Sequence, residues 1–232
     1  MDVRNARVLV TGGSSGIGKA TAALLTAKGA QVAITGRDQP KLAAVANAIG
    51  AHAIDLDQSD YGAIAGGLAE AIATLGGLDA VINNAGVGSF AQVGELQAAD
   101  FERVLATNVI GLALLTQEAV AHFRQHGGGD IVNIASTAAL NGFPGGSVYC
   151  ASKFALRGMT QCWQKELRKD DIRVILVNPS EVPTAFGSES REERPLEERK
   201  LTPVEIAHAI VSALEMDDRG FIPELSVWAT NP

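Results

Sequence analysis

The chain has 232 residues, 47% of them apolar and only 5% aromatic, so it can bury a sizeable core of Ala, Val, Ile and Leu and is not a disordered chain. A formal charge of −7, with no Lys/Arg cluster standing free of acids, excludes the basic stripe that nucleic-acid phosphates require. Met1 to Asn5 run straight into an apolar strand without the apolar core of a signal peptide, and no apolar stretch reads as long and unbroken enough to span a bilayer; a cytoplasmic protein with no membrane partner is expected.

In chain order, Ala6 to Thr11 reads as a short buried strand, followed by a glycine-rich turn and a helix from Gly16 to Lys28 that Gly29 stops. Gln31 to Thr35 is a second strand. Asp38 and Pro40 then supply an N-cap and a helix start, and the Ala-rich run carries that helix through Ile49 to Gly50. The alternation continues with a strand at His52 to Ile54, a helix from Ser59 to Thr74 and a strand at Leu78 to Ile82. A long helix near Asp100 to His126, a strand Asp130 to Ile134, a helix near Tyr149 to Leu167 and a strand Arg173 to Val177 follow. Thr202 and Pro203 open a last helix to Met216, and Gly220 to Pro223 suggests a terminal strand.

Seven strands alternating with helices predict an α/β fold: a single Rossmann-like, doubly wound domain over 1–232, with a mostly parallel seven-stranded sheet and helices on both faces. The pattern breaks at 185–201, where Ser, Glu, Arg and one Pro replace apolar periodicity. That segment is a solvated loop or a cover over a substrate pocket. Cys150 and Cys162 share one predicted helix and stand roughly 18 Å apart, far beyond disulfide reach, so they are expected as reduced thiols. His122 and His126, four apart on a helix, have no third ligand in sight and are read as complementing its C-terminus. No metal site is expected.

Thr11-Gly12-Gly13-Ser14-Ser15-Gly16-Ile17-Gly18 lies between the first strand and the first helix. Missing Cβ atoms let that backbone turn sharply and approach a pyrophosphate, whose charge the helix N-terminus favours. The spacing is G-x-x-x-G-x-G, and with it the chain resembles the classical short-chain dehydrogenase/reductase family over essentially its whole length. Asn83-Asn84-Ala85-Gly86, Asn108, Ser136 and Tyr149-Cys150-Ala151-Ser152-Lys153 complete the signature in order.

The resemblance implies a nicotinamide cofactor held by Gly12, Ser14, Ser15, Gly16, Ile17 and Gly18 around the phosphates, by Asp55 and Leu56 near the adenine, and by Asn83, Ala85 and Gly86 beneath the ribose. Pro179, Val182 and Thr184 match the family's pattern after the sixth strand, where Ser180 replaces a glycine and puts the local backbone geometry in question. Strand two ends in Thr35-Gly36-Arg37 and not in an acid; Gly36 leaves room and the Arg37 guanidinium suits a 2′-phosphate, so NADP is favoured over NAD. Asp38 follows at once, but its better role is the helix cap.

Tyr149 and Lys153 are four apart and share a helix face, a pattern that alone marks only an exposed surface. A free phenol has a pKa near ~10, and an adjacent ammonium, the positive end of the helix and an oxidised nicotinamide would each lower it. In the family's terms Tyr149 is the acid/base, Ser136 binds the substrate oxygen, Lys153 steadies the nicotinamide ribose and Asn108 holds a water that links Lys153 to solvent. The expected function is hydride transfer between nicotinamide and a small carbonyl or secondary alcohol. A catalytically idle nucleotide sensor is the alternative. The family also implies a homodimer or homotetramer through the two long helices. Glu181 is either a group that disfavours anionic substrates or an outward-facing loop acid.

Overall fold

The computed structural model describes residues 1–186, 194–195 and 199–230. Most of the predicted cover at 185–201 therefore lies outside the described residues. The strands are β1 (Arg7–Val10), β2 (Gln31–Gly36), β3 (His52–Asp55), β4 (Ala80–Asn83), β5 (Gly129–Ile134), β6 (Ile172–Pro179) and β7 (Glu224–Val227). They form one sheet in the order β3-β2-β1-β4-β5-β6-β7, and every adjacent pair is parallel.

The helices are α1 (Gly16–Ala27), α2 (Gln39–Ile49), α3 (Ile64–Leu75), α4 (Ala98–Leu105), α5 (Leu112–His126), α6 (Ser147–Glu166) and α7 (Pro203–Leu214). Side-chain alternation along the strands divides the core between the two faces. Val8, Val10, Val32, Ile34 and Ile82 pack with α1, α2 and α7, while Leu9, Ala33, Val81 and Ile131 pack with α3 and α5. Strands buried on both faces read as continuous apolar runs, which is why the sequence alternation announced a parallel sheet.

Local signals act where expected. The Asp38 carboxylate accepts from Lys41 N at 3.2 Å and caps α2, which Gly50 ends at φ +70. Thr202 and Glu205 form a capping box on α7. A buried pair, Arg173 to Asp130 at 2.6 and 2.7 Å, ties β6 to β5, and the same guanidinium holds Leu214 O at the end of α7 and Met216 O and Gly220 O beyond it.

Three boundaries differ from expectation. Helix α3 begins at Ile64 and not Ser59, because Asp57 and Asp60 accept from Ser59 N and Gly62 N and hold that stretch in turns. The last strand is Glu224–Val227, not Gly220 to Pro223; it lies at the sheet edge, where Leu176 N donates to Pro223 O. The long helix is interrupted by a π turn over Ala106–Gly111. The continuous stretch Ala98–His126 is, by length and composition, apolar enough to cross a membrane, contrary to the reading by unbroken runs, but half of its most apolar window is buried within the fold.

Candidate active site

The sheet order reverses direction between β1 and β4, and a crevice opens there at the carboxyl ends of the strands. The cleft has a volume of about 1480 Å³ and is lined by Gly12, Ser14 to Ile17, Arg37, Leu56, Ala85, Gly86, Ser136, Tyr149, Lys153, Pro179, Val182 and Thr184, among others.

Its floor at one end is the glycine turn. Gly12 and Gly16 have φ of +64 and +52, the left-handed region that a side chain resists, and a Cβ on Gly12 would come to 2.9 Å from Ala85 Cα. Thr11 Oγ1 accepts from Asn84 N and Ala85 N at 3.0 and 2.9 Å, while the Asn84 amide donates to Thr11 O and Gly12 O. The two loops are thus bolted together. Ser15 takes the N-cap of α1 without spending its side chain on a cap, and no acid stands in the first turn. That positive helix end, set against a backbone with no Cβ in the way, fits a pyrophosphate.

Not every expected cofactor residue reaches the cleft. Asn83 is 1% exposed, and its amide donates to Thr116 Oγ1 and Asn133 Oδ1 inside the core; Asn84, one residue on, takes the place at the cleft. The signal was the strand itself, since the last residue of β4 continues the buried ladder and the loop begins only after it. Gly18 is buried, and a Cβ there would strike Asn84, so it serves close packing of α1. Asp55 lies beyond the lining and accepts a hydrogen bond from Gln39 Nε2. Ser180 also lines the cleft with no left-handed backbone, Asn5 and Asp171 being the non-glycine residues with positive φ among those described. The serine therefore needs no special geometry there.

At the β2 end of the cleft, Arg37 is exposed, and its side chain has no partner among the described residues. Gly36 keeps space open, with Ser14 Oγ 3.4 Å from where its Cβ would stand. Lys41, which the sequence reading passed over, lines the same end from the first turn of α2. Its place three residues after the Asp38 cap was the available clue.

At the other end, Tyr149 stands in the first turn of α6, 9% exposed, and lines the cleft together with Ser136. Ser136 Oγ also accepts from Ala138 N at 3.1 Å, which fixes its direction after β5. Lys153 is 5% exposed; its ammonium donates to Ile134 O at 2.9 Å and lies 5.7 Å from the centre of the Tyr149 ring. Burial pushes the Tyr149 phenol up to about 12, the Ser136 hydrogen bond opposing it, and burial pulls the Lys153 ammonium down to about 8. The expected lowering of the tyrosine is thus reversed, because removal from water outweighs the Ser136 hydroxyl that opposes it.

Asn108 sits in the π turn and does not line the cleft. Its Oδ1 accepts from Val87 N at 2.9 Å, and its Nδ2 donates to Val87 O and to Ser152 Oγ at 2.9 and 3.0 Å. Ser152 Oγ in turn donates to Tyr149 O. Gln58 Nε2 donates to Thr107 O at 2.9 Å, capturing a carbonyl within the widened turn. Neither Ser152 nor Gln58 was singled out from sequence. Glu181 is exposed and paired with Arg194 and Lys200 at 3.2 and 3.8 Å, so its charge is already answered. His122 and His126 stack at 4.0 Å, and no cluster of three metal-ligating side chains occurs among the described residues.

Comparison with known proteins agrees with this arrangement. A family model described as short chain dehydrogenase matches residues 6–195. An uncharacterized oxidoreductase of Staphylococcus aureus (strain USA300) is 31% identical over 222 residues, 94% of this chain and 95% of that protein. A 2-dehydro-3-deoxy-L-rhamnonate dehydrogenase (NAD(+)) of Sphingomonas sp. (strain SKA58) is 40% identical over 174 residues, 74% of this chain and 70% of its own. Among solved structures, a metagenomic short-chain oxidoreductase in complex with NADP superposes with a TM-score of 0.86 at 32% identity, covering 100% of both chains.

Proposed function

The chain belongs to the short-chain dehydrogenase family, and from that premise we propose that it is an NADP-dependent carbonyl reductase in which Tyr149 exchanges a proton with the substrate oxygen. It is an oxidoreductase working between CH–OH and C=O groups of small molecules with a nicotinamide cofactor. The observation that carries the finer reading is that Tyr149, Ser136 and Lys153 line one cleft with the glycine turn.

A bound nicotinamide would supply hydride to the carbonyl carbon, or take it back from the alcohol. The chain's own residues do the rest. Gly12, Ser14, Ser15, Gly16 and Ile17 with the α1 N-terminus would hold the diphosphate, Leu56 the adenine, and Ala85, Gly86, Pro179, Val182 and Thr184 the nicotinamide half. Ser136 orients the substrate oxygen. Tyr149, protonated at neutral pH, gives that oxygen its proton. Lys153 keeps a positive charge beneath the phenol and re-forms the donor after each transfer, and Asn108 fixes the backbone of Val87 and Tyr149 through Ser152.

The NADP preference is supported by Arg37 and Lys41, two cations in the cleft whose side chains have no partner among the described residues, where an acid would repel a 2′-phosphate. An NADP complex among the similar structures agrees with it, although the Sphingomonas relative is named for NAD(+). Exposed Ile110 and Phe154 on the long helices support assembly as a homodimer or homotetramer. The free thiols of Cys150 and Cys162 suit a cytoplasmic setting. The test is a panel of ketones and alcohols followed by nicotinamide absorbance, with NADPH and NADH in parallel. Tyr149→Phe should abolish turnover, and full activity in that variant would end the proposal.

A further inference from the structure

Three phenyl rings stand around the Tyr149 end of the cleft, brought there by three different stretches of chain. Phe90, from the loop after β4, has its ring centre 5.7 Å from that of Tyr149 and 6.1 Å from that of Phe143, which precedes α6. Phe186, after β6, lies 5.2 Å from Tyr149 on its own side. The rings are tilted by 37 to 59° and line the cleft together with Ser136. All three are large apolar side chains left substantially open, at 50% for Phe90, 44% for Phe143 and 37% for Phe186. Open apolar surface converging on a reactive group marks a ligand seat.

The backbone is shaped to receive these rings. A Cβ on Gly88 would meet Phe90 Cε2 and Phe186 Cζ at 3.0 Å, and one on Gly146 would meet the Phe143 ring at 2.7 Å. Glycine at both positions lets the phenyls lie directly on the main chain. Three of the seven phenylalanines in an aromatic-poor chain thus gather at one site with one of its two tyrosines.

Charge at this end is spent internally. Asp100 accepts from Ser89 Oγ and pairs with Arg103, Glu181 pairs with Arg194 and Lys200, and Lys153 is bound to Ile134 O. The unpartnered cations, Arg37 and Lys41, line the opposite end. A polyhydroxylated acid, the kind of substrate named for the Sphingomonas relative, would press hydroxyls against phenyl carbon and find no free counter-charge at this end among the described residues.

We propose that the carbonyl substrate carries an aryl ring, seated against Phe90, Phe143 and Phe186 while its carbonyl oxygen meets Tyr149. This rests on the reductase reading above and adds the class of group beside the carbonyl. A fourth ring at the spacings already present would meet faces and edges in the tilted geometries that aromatic pairs prefer.

The test compares phenylacetone with cyclohexylacetone, two ketones of like size whose ring is insulated from the carbonyl by a methylene, so that intrinsic reactivity is matched. Wild-type kcat/KM should favour the aryl ketone about three- to tenfold, and Phe90→Leu and Phe143→Leu, which keep apolar bulk and the fold, should each bring the ratio toward one. A wild-type ratio at or below one, or a ratio that neither variant moves, overturns the aryl seat. Refusal of both ring-bearing ketones with turnover of a short aliphatic ketone overturns it and leaves the reductase standing; refusal of every carbonyl overturns both.

Discussion

The ammonium of Lys153 donates to the carbonyl oxygen of Ile134 at 2.9 Å, so the buried charge of α6 is anchored on the end of β5. Burial holds this lysine near 8, against an ordinary 10.5, which corresponds to a folding penalty of about 3 kcal/mol on the charged form. Its folded-state pKa lies below the unfolded one, so the penalty is complete below pH about 8 and is relieved as pH rises toward about 10.5. Lys153→Met should therefore unfold at higher denaturant than wild type at pH 7, by about 1–3 kcal/mol, while losing turnover. Urea melts at pH 7 and near 10.5 check this, and the advantage should vanish at the higher pH.

Tyr149 should stay protonated where ordinary phenols ionise. Burial carries it to about 12, and the chain's other tyrosine is the exposed Tyr61. Wild type and Tyr149→Phe should give the same tyrosinate absorbance up to pH about 10, with the wild-type excess appearing only above that. Ser136→Ala removes the hydrogen bond that opposes burial and should delay the excess further. A wild-type excess over Tyr149→Phe already present near pH 10 would contradict the burial argument.

Arg37→Ser should raise the KM for NADPH by about ten- to a hundredfold and leave that for NADH within about threefold, the loss expected when a charged hydrogen bond to an anion is removed. Lys41→Ser should show the same selectivity to a lesser degree. Steady-state kinetics with both cofactors decide it, and a parallel loss for NADH would reassign Arg37 to general structure.

Asn108→Ala removes the partner of both polar groups of Val87 and the donor to the Ser152 hydroxyl, which keeps its bond to Tyr149 O. A stability loss of about 1–3 kcal/mol is expected in thermal or urea melts. It should come with a fall in kcat larger than the change in KM, since the glycine turn is untouched. Wild-type kcat with a lowered melting point would confine Asn108 to structure.

Much of this was legible from residues alone because each element carried its own boundary marker, as with Asp38 and Gly50 around α2 or Thr202 opening α7. The cleft was legible for the same reason: Gly12 and Gly16 are needed only where a chain turns left-handed. Hidden features depend on neighbours distant in sequence. Asn83 and Asn84 cannot be told apart until the end of β4 is known, and the π turn at Ala106–Gly111 has no local signature, being braced by Gln58 from a loop beyond β3. The direction of the Tyr149 shift was missed because proximity to Lys153 can be read from a four-residue spacing, whereas loss of solvent cannot. Phe90, Phe143 and Phe186, scattered along the chain, become a set only in three dimensions.

The pairing of β1 with β4 has a consequence for biosynthesis. Val8 takes Val32 as one neighbour and Ala80 as the other, so β1 must wait half-paired while two complete crossovers leave the ribosome. Until then its open edge, flanked by apolar rows, is the nascent chain's most adhesive surface. Slow translation through α3, or arrest before β4, should therefore send the product toward inclusion bodies, and a chaperone that shields β1 during that interval would set the yield of soluble enzyme.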